Sequence, residues 1–465
     1  MIRKVLVILL ILTLVISQTA CSNGAKEVGE HTGVVIPNPK DGVPTLTIML
    51  NPAEHEALTA NKFFRYYVDK FKKDFGVEVN YEKLGSSPGR LIEWEDRDEY
   101  IKELSIKLNA QNGSELIFSQ FMPLEPIIRQ GAAVKLNDKI PNLNKVYKGL
   151  LDDEIYFVPV SINYNSKIIN IEALKSIQME EPEINWTSQD RFEIRTKWLK
   201  VNKMHFNAYE WFITLESILD IDKAYDRENN RISLNTPKII KDIEYARKYI
   251  LGGNYILNKN YKLENYFRMI TDDNSEEFQE SMYLMKKNKE LGHIESGVLE
   301  NILRAIDVYN ANYIYGTVLM PEFSDKEVML KASGFTVNKN AKNPELAYEF
   351  INGLLSNEIQ MRLYNDNEDG YYPVNKDIED NIKAIEEEKV ADKRVLQTKK
   401  HVLNQMKDSQ MKLWNTENLD LLNLKQMIEE DLVKIILADT KYSDVELSAK
   451  LSELEHKYNI YLNKQ

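Results

Sequence analysis

Between Thr45 and Leu136 the hydrophobic pattern switches back and forth between a two-residue and a 3.6-residue period, and few folds accommodate that. "TLTIML" (Thr45–Leu50) alternates as a strand, and "NPAEHEALTA" after it reads as a loop. In "NKFFRYYVDKFKKDFG", Phe64, Tyr67, Val68, Phe71 and Phe75 share one helical face, and Gly76 ends the helix. "VEVNYEKL" is a second strand. "DEYIKELSIKLNAQNG" is a helix with Tyr100, Leu104 and Leu108 in register, and "ELIFSQF" is a buried strand. "LEPIIRQGAAVKL" reads as a short helix and a turn. This alternation predicts an α/β domain with a largely parallel sheet.

A further β-rich run, "EIYFVPVSINY" (Glu154–Tyr164), closes this part of the chain. From "NWTSQDRFEIRTKWLK" to about residue 310 helical patterns dominate, which predicts a second, mostly helical domain. "TPKIIKDIEYARKYIL" is one such helix, with Pro237 near its start and Ile239, Ile240, Ile243, Ala246 and Ile250 along one side. "YGTVLMPEF" and "VMLKASGFTVNK" return to strand character. "NPELAYEFINGLLSNEIQMRLY" is helical, with Asn343 expected as its cap and Pro344 in its first turn. Beyond about residue 378 the chain is charged and helical, and no fixed-period repeat is present.

The N-terminus carries a different signal. Arg3 and Lys4 precede "VLVILLILTLVI" (Val5–Ile16), which is short for a bilayer span of roughly 20 residues. Thr19 and Ala20 then precede Cys21, the only cysteine. The arrangement resembles a bacterial lipoprotein signal, with an ordinary secretory signal as the alternative. It implies a signal peptide over residues 1–20, lipidation at Cys21, and a flexible polar tether over residues 21–43. Lys and Arg total 60 against 72 Asp and Glu, a net charge of −12, which argues against nucleic acid and against attachment to anionic lipid. One cysteine and six scattered histidines form no metal-binding spacing, so no metal and no cofactor is expected.

From Ala332 to Ile378 the sequence resembles the extracellular solute-binding proteins of ABC importers, in particular the group that binds sugars and oligosaccharides. The matching residues are Asn343, Pro344, Glu345, Ala347, Phe350, Ser356, Glu358, Gln360, Pro373 and Val374. "LSIKLNAQNGSELIF", with Glu115 where Asp is usual, is similar to the family's helix, glycine turn and strand. So are "IIRQGAAVKLNDKI", "IYFVPVSINYN", "INWTSQDRFEI", "RISLNTPKIIKDIEYARKYI" and "KLSELEHKYNIYLNKQ" to later family segments, in the same order. The resemblance implies a two-lobed, type II periplasmic-binding-protein-like α/β fold with a hinge between lobes. The N-terminal α/β lobe would comprise 44–160 plus about 310–375, and a helix-rich second lobe 161–309 plus 376–465. A non-enzymatic, monomeric receptor is implied, lipid-anchored on the extracellular face of the cell membrane. It would capture a small solute, a carbohydrate by analogy, and deliver it to ABC permease subunits.

In open α/β sheets ligands meet the carboxyl ends of strands. A sugar needs amides and carboxylates for its hydroxyls and aromatic rings for its C–H faces. Strand-end residues of those types are Glu54 and His55, Ser119, Gln120 and Phe121, and Asn163 and Tyr164. Trp211 in the helical region, Tyr313 and Tyr315 before "GTVLMP", and Tyr371 and Tyr372 in a polar turn complete the candidates. In a chain with 25 tyrosines, any one of these also suits an ordinary core or surface position. Two other readings remain: a degenerate cleft serving as a surface sensor or interaction module, and a hydrolase using carboxylates such as Glu93 and Glu95 beside Trp94.

Overall fold

The computed structural model describes residues 43–463 apart from 86–93, 121, 203–220, 227–228, 252–262, 273, 281, 284–300, 367–369, 409–410, 417 and 439. Cys21 and its flanking segments therefore lie outside the described residues, as do Glu93, Phe121 and Trp211.

Strand β1 (Thr45–Leu50) leads directly into helix α1 (Pro52–Ala60), where a loop was expected. Its start signals are present: the Asn51 side chain accepts from the Glu54 N–H, and Pro52 occupies the first turn. α2 (Lys62–Phe75) ends at Gly76, whose φ of 64° is the left-handed C-cap conformation that glycine adopts without strain. β2 (Glu78–Lys83), α3 (Trp94–Leu108), β3 (Leu116–Ser119) and the short α4 (Glu125–Arg129) follow. β1 lies between β2 and β3 and is parallel to both, as the helical crossovers require.

The sheet is mixed rather than largely parallel. β4 (Phe157–Asn163) pairs with the nine-residue β9 (Met329–Val337), which runs antiparallel between β4 and β3. β10 (Tyr372–Pro373) borders β4, and β11 (Lys412–Leu413) pairs with the start of β9. The order is β10-β4-β9-β3-β1-β2. Because β9 enters from a distant part of the chain, no local crossover fixes its direction.

Between β4 and β9 come β5 (Lys167–Asn170), α5 (Ile171–Ser176), α6 (Ser188–Asn202), and the hairpin of β6 (Tyr225–Asp226) and β7 (Arg231–Ile232). Next are α7 (Pro237–Leu251), α8 (Leu263–Thr271), α9 (Ala305–Tyr315) and β8 (Thr317–Met320). β8 pairs with β5 in a separate two-stranded sheet. After β9 come α10 (Pro344–Leu354), α11 (Asn357–Asp366), α12 (Glu379–Lys389), α13 (Lys393–Asp408), α14 (Leu419–Ile436) and α15 (Asp444–Asn463). No helix among the described residues is long and apolar enough to cross a membrane.

From Val43 onward the chain packs as one compact unit containing several apolar clusters. Against the sheet, Phe64, Tyr67, Phe71, Phe118, Phe335 and Phe350 form an aromatic core. Phe335 and Phe350 meet edge to face at 5.6 Å, and the Tyr67 hydroxyl donates to the Phe350 carbonyl at 2.6 Å. Asn343 does not cap α10 with its side chain. Its Nδ2 instead donates to Glu115 Oε1 at 3.2 Å, while Glu115 Oε2 accepts from the Thr47 N–H at 2.8 Å. The longer side chain at 115 thus ties α10 to β1.

A separate cluster joins α7, α14 and α15 through residues such as Ile239, Ile243, Ala246, Leu424, Ile428, Leu451 and Tyr458. Asp431 fastens α14 to α15 by bonds to Lys457 at 2.7 Å and the Tyr458 hydroxyl at 2.7 Å, with Lys434 at 2.8 Å. Burial pushes the Asp431 carboxyl up, but these hydrogen bonds outweigh it and hold it at about 2. The stabilisation is complete above about pH 4, the ordinary aspartate range, and is lost as pH falls towards 2. In a pH series of hydrogen exchange, α15 is expected to lose protection across that window in the native chain. Asp431→Asn should remove that step and lower α15 protection at pH 7.

Candidate functional site

One end of the large sheet gathers several of the candidate polar groups. β1, β2, β3 and β4 point their carboxyl ends to this edge, where β9 begins and β10 lies beside Ile162. Such an edge is where open α/β sheets present ligand sites.

A chain of hydrogen bonds runs along it. Glu54 sits in the first turn of α1, fully buried. Its Oε1 accepts from the Gln120 N–H at 2.8 Å, and the Gln120 side-chain amide donates to the Tyr371 hydroxyl at 2.5 Å. Ser119, also fully buried, donates to the Met122 carbonyl and accepts from Asn415 Nδ2 at 2.9 Å. Asn163 ends β4, half-buried, and its buried Oδ1 has no hydrogen-bond partner. A buried acceptor left open is costly unless something else fills it.

A cavity of about 40 Å³ opens at this edge, with Phe63, Phe64 and Phe118 among its walls and Gln120, Ser161, Ser333 and Tyr371 as polar lining. It has room for water but not for a sugar ring, so a ligand of that size must lie across its mouth or part its walls. A larger cavity, about 320 Å³, lies between the β6–β7 hairpin and α15. Among the described residues His456 supplies its one ring, and several of its polar groups already hold α15: Glu455 accepts from the Leu234 and Asn235 N–H groups, and Asn459 from the Ile232 N–H.

The edge therefore brings together Glu54, Ser119, Gln120, Asn163 and Tyr371. His55 lies beside Glu54 but turns to β2, its ring 5.4 Å from Tyr81 at 83°. Partial burial, then Lys83, lowers its pKa, so it is neutral at pH 7. Tyr164 is buried, its hydroxyl accepting from the Glu322 N–H at 3.1 Å. Tyr372 is buried with its ring 4.7 Å from Lys399 Nζ. Tyr313 is 84% exposed on α9, and Tyr315 is the last residue of that helix.

Asn51, Ser161, Ser333 and Asn415 also lie at this edge and are absent from the strand-end candidates, while Tyr100, expected only on a helix face, is buried. Ser161 and Ser333 are register partners, and a serine within each of two largely apolar strands is the available signal. Asn415 follows β11, a two-residue strand hidden in a helical stretch. It accepts from the Ala332 N–H at 3.3 Å through Oδ1 and from the Leu124 N–H at 2.7 Å through its carbonyl.

Comparison with known families matches residues 66–393 to the bacterial extracellular solute-binding proteins. No curated protein matches the sequence. Among solved structures, a cyclic α-maltosyl-1,6-maltose binding protein from Arthrobacter globiformis is similar, with a TM-score of 0.58 at 14% identity over 91% of this chain and 100% of that one. An oligosaccharide periplasmic-binding protein from Synechococcus sp. MITs9220, described as putative, aligns with a TM-score of 0.60 at 12% identity, over 91% and 99%. An ABC substrate-binding protein from Listeria monocytogenes in complex with cycloalternan aligns with a TM-score of 0.52 at 12% identity, over 91% and 100%.

Proposed function

Because the chain belongs to the bacterial extracellular solute-binding proteins, we propose that it captures a sugar or oligosaccharide at this sheet edge and delivers it to an ABC permease. The observation that carries this reading is the convergence of Gln120, Ser161, Ser333 and Tyr371 beside Phe63, Phe64 and Phe118, with the open Asn163 acceptor at the end of β4. Amide, hydroxyl and ring together match a saccharide's hydroxyls and C–H faces. The sugars bound by two structural neighbours point to the same class.

In this reading the edge belongs to an N-terminal lobe of residues 44–160 plus about 310–375. A second lobe, 161–309 plus 376–465, closes over the ligand by a hinge movement. Such a movement accommodates a ligand that the cavity of about 40 Å³ does not admit. Lipid on Cys21 holds a monomer at the outer face of the cell membrane, with residues 22–43 as tether. Cys21→Ser is expected to shift the protein from the membrane fraction to the medium and to abolish labelling by radioactive palmitate.

The test is calorimetric titration of the chain with cyclic α-maltosyl-1,6-maltose, cycloalternan and linear maltooligosaccharides. Saturable heat with any of them, lost in Gln120→Ala, supports the reading. Silence across the panel favours the second reading that the small cavity suggests, a degenerate cleft acting as a surface sensor.

A further inference from the structure

We infer that Glu54 is a positioning residue of this site: its carboxylate holds the main chain after β3 and thereby aims the Gln120 amide at Tyr371. The inference rests on the sugar-binding reading only for its consequence on affinity. Glu54 has no exposed surface, so it is set behind the cavity wall rather than in it. Its own backbone is fixed, since its N–H donates to Asn51 Oδ1 at 2.9 Å. Its Oε1 in turn receives the N–H of Gln120, the first residue beyond β3, at 2.8 Å. A hydrogen bond to a carboxylate is stronger than one between neutral groups, which suits it to pin a loop. The Gln120 side chain then reaches Tyr371 across a sequence separation of 251 residues.

The surroundings of Glu54 are rich in donors. Asn51 Nδ2 and the Tyr100 hydroxyl are buried and have no hydrogen-bond partner. Burial first, and the Glu54 charge second, push the Tyr100 hydroxyl well above its usual range, which places that hydroxyl within the carboxylate's field. A side chain without an acceptor oxygen would leave Gln120 N–H unfilled in a setting already supplied with spare donors. The order of parts is therefore helix cap, carboxylate, loop amide, side-chain amide, tyrosine. Only the last two line the cavity.

The experiment measures exchange of the Gln120 amide in the full chain, together with titration by cyclic α-maltosyl-1,6-maltose. Glu54→Leu fills the space but accepts no hydrogen bond, and Glu54→Ala is the second choice should Leu not fold. Either should speed Gln120 exchange at least about tenfold and weaken the sugar by about tenfold or more. Glu54→Gln keeps an acceptor oxygen and should restore most of both losses. Combined with Gln120→Ala, Glu54→Leu should add little further loss of affinity, because it acts through Gln120. Additive losses would mean that Glu54 touches the sugar itself, and unchanged exchange would mean that it does not hold the loop. Either result overturns the inference. If the native chain binds no sugar of the panel, the solute reading fails while Gln120 exchange still decides this one.

Discussion

Glu386→Ala is expected to destabilise the fold by about 3–5 kcal/mol, the range for breaking a buried ion pair from one side. Glu386 and Lys399 are 1% and 5% exposed, and Lys399 Nζ lies 2.5 Å from Glu386 Oε2. Glu386 Oε1 also accepts from the Tyr364 hydroxyl at 2.9 Å and the Ala305 N–H at 3.2 Å. One carboxylate therefore joins α9, α11, α12 and α13. Burial lowers the Lys399 pKa, with Glu386 opposing it, so the ammonium depends on its partner. Removing the partner leaves that ammonium against aromatic faces, the Tyr372 ring at 4.7 Å and the Tyr364 ring at 6.0 Å. Lys399→Met is the milder change, since the carboxylate keeps two donors. Glu386→Leu with Lys399→Met should recover most of the loss, because paired apolar replacement removes both desolvation costs. Urea unfolding of the four proteins checks this. A loss under about 1 kcal/mol in Glu386→Ala would show that the pair does not bear on stability.

The parts of the fold that the sequence disclosed are those set by local periodicity. The face of α2 follows from which residues must be buried together: Phe64, Tyr67, Val68 and Phe71 are buried as read, while Phe63 joins them and Phe75 is only half-buried. β1 alternates from Thr45 to Ile48 and is then buried through Met49 and Leu50. The antiparallel insertion of β9 was not legible, because its neighbours are hundreds of residues away in places and no turn chemistry fixes the pairing. α1 was legible but unread: Asn51 and Pro52 are ordinary start signals, obscured by a weak apolar stripe. Asn343 gave the reverse case. Its position suits a cap, but a buried carboxylate at 115 draws its side chain away. At the site, the strand-end rule found Glu54 and Gln120 without distinguishing their depth, and Tyr371 came from a polar turn. Tyr371 and Tyr372 are adjacent in extended chain, so their rings take opposite sides. One reaches Gln120 and the other is buried beside Lys399. Which of the two faces the cavity depends on the pairing of β10 with β4, a long-range fact.

Gly334→Ala is expected to cost about 2–3 kcal/mol and to weaken sugar binding in the same protein. Gly334 lies in β9 opposite Ser119 on one side and Pro159 on the other. A Cβ there would collide with the Val158 carbonyl oxygen and lie 2.6 Å from the Phe157 ring. The carbonyl belongs to the main chain of a strand paired on both sides, so it has no rotamer to escape into. Shortening Phe157 would relieve the ring contact and leave the oxygen. Gly353→Ala differs in kind: the obstructing atom is the Tyr67 hydroxyl at the end of a side chain, which can swing away at the cost of its bond to Phe350. In Gly334→Ala the strands themselves must part. The neighbouring pair Ser161 and Ser333 lines the cavity, and the next residue, Ala332, donates to Asn415. Separation of β9 from β4 therefore reaches both the cavity wall and the Asn415–Ser119 contact. Urea unfolding and sugar titration of Gly334→Ala and Gly353→Ala should separate the two cases. Stability should fall in both and affinity in Gly334→Ala alone. Equal loss of affinity in the two would mean that the site answers to general loosening of the core and not to the β4–β9 pairing.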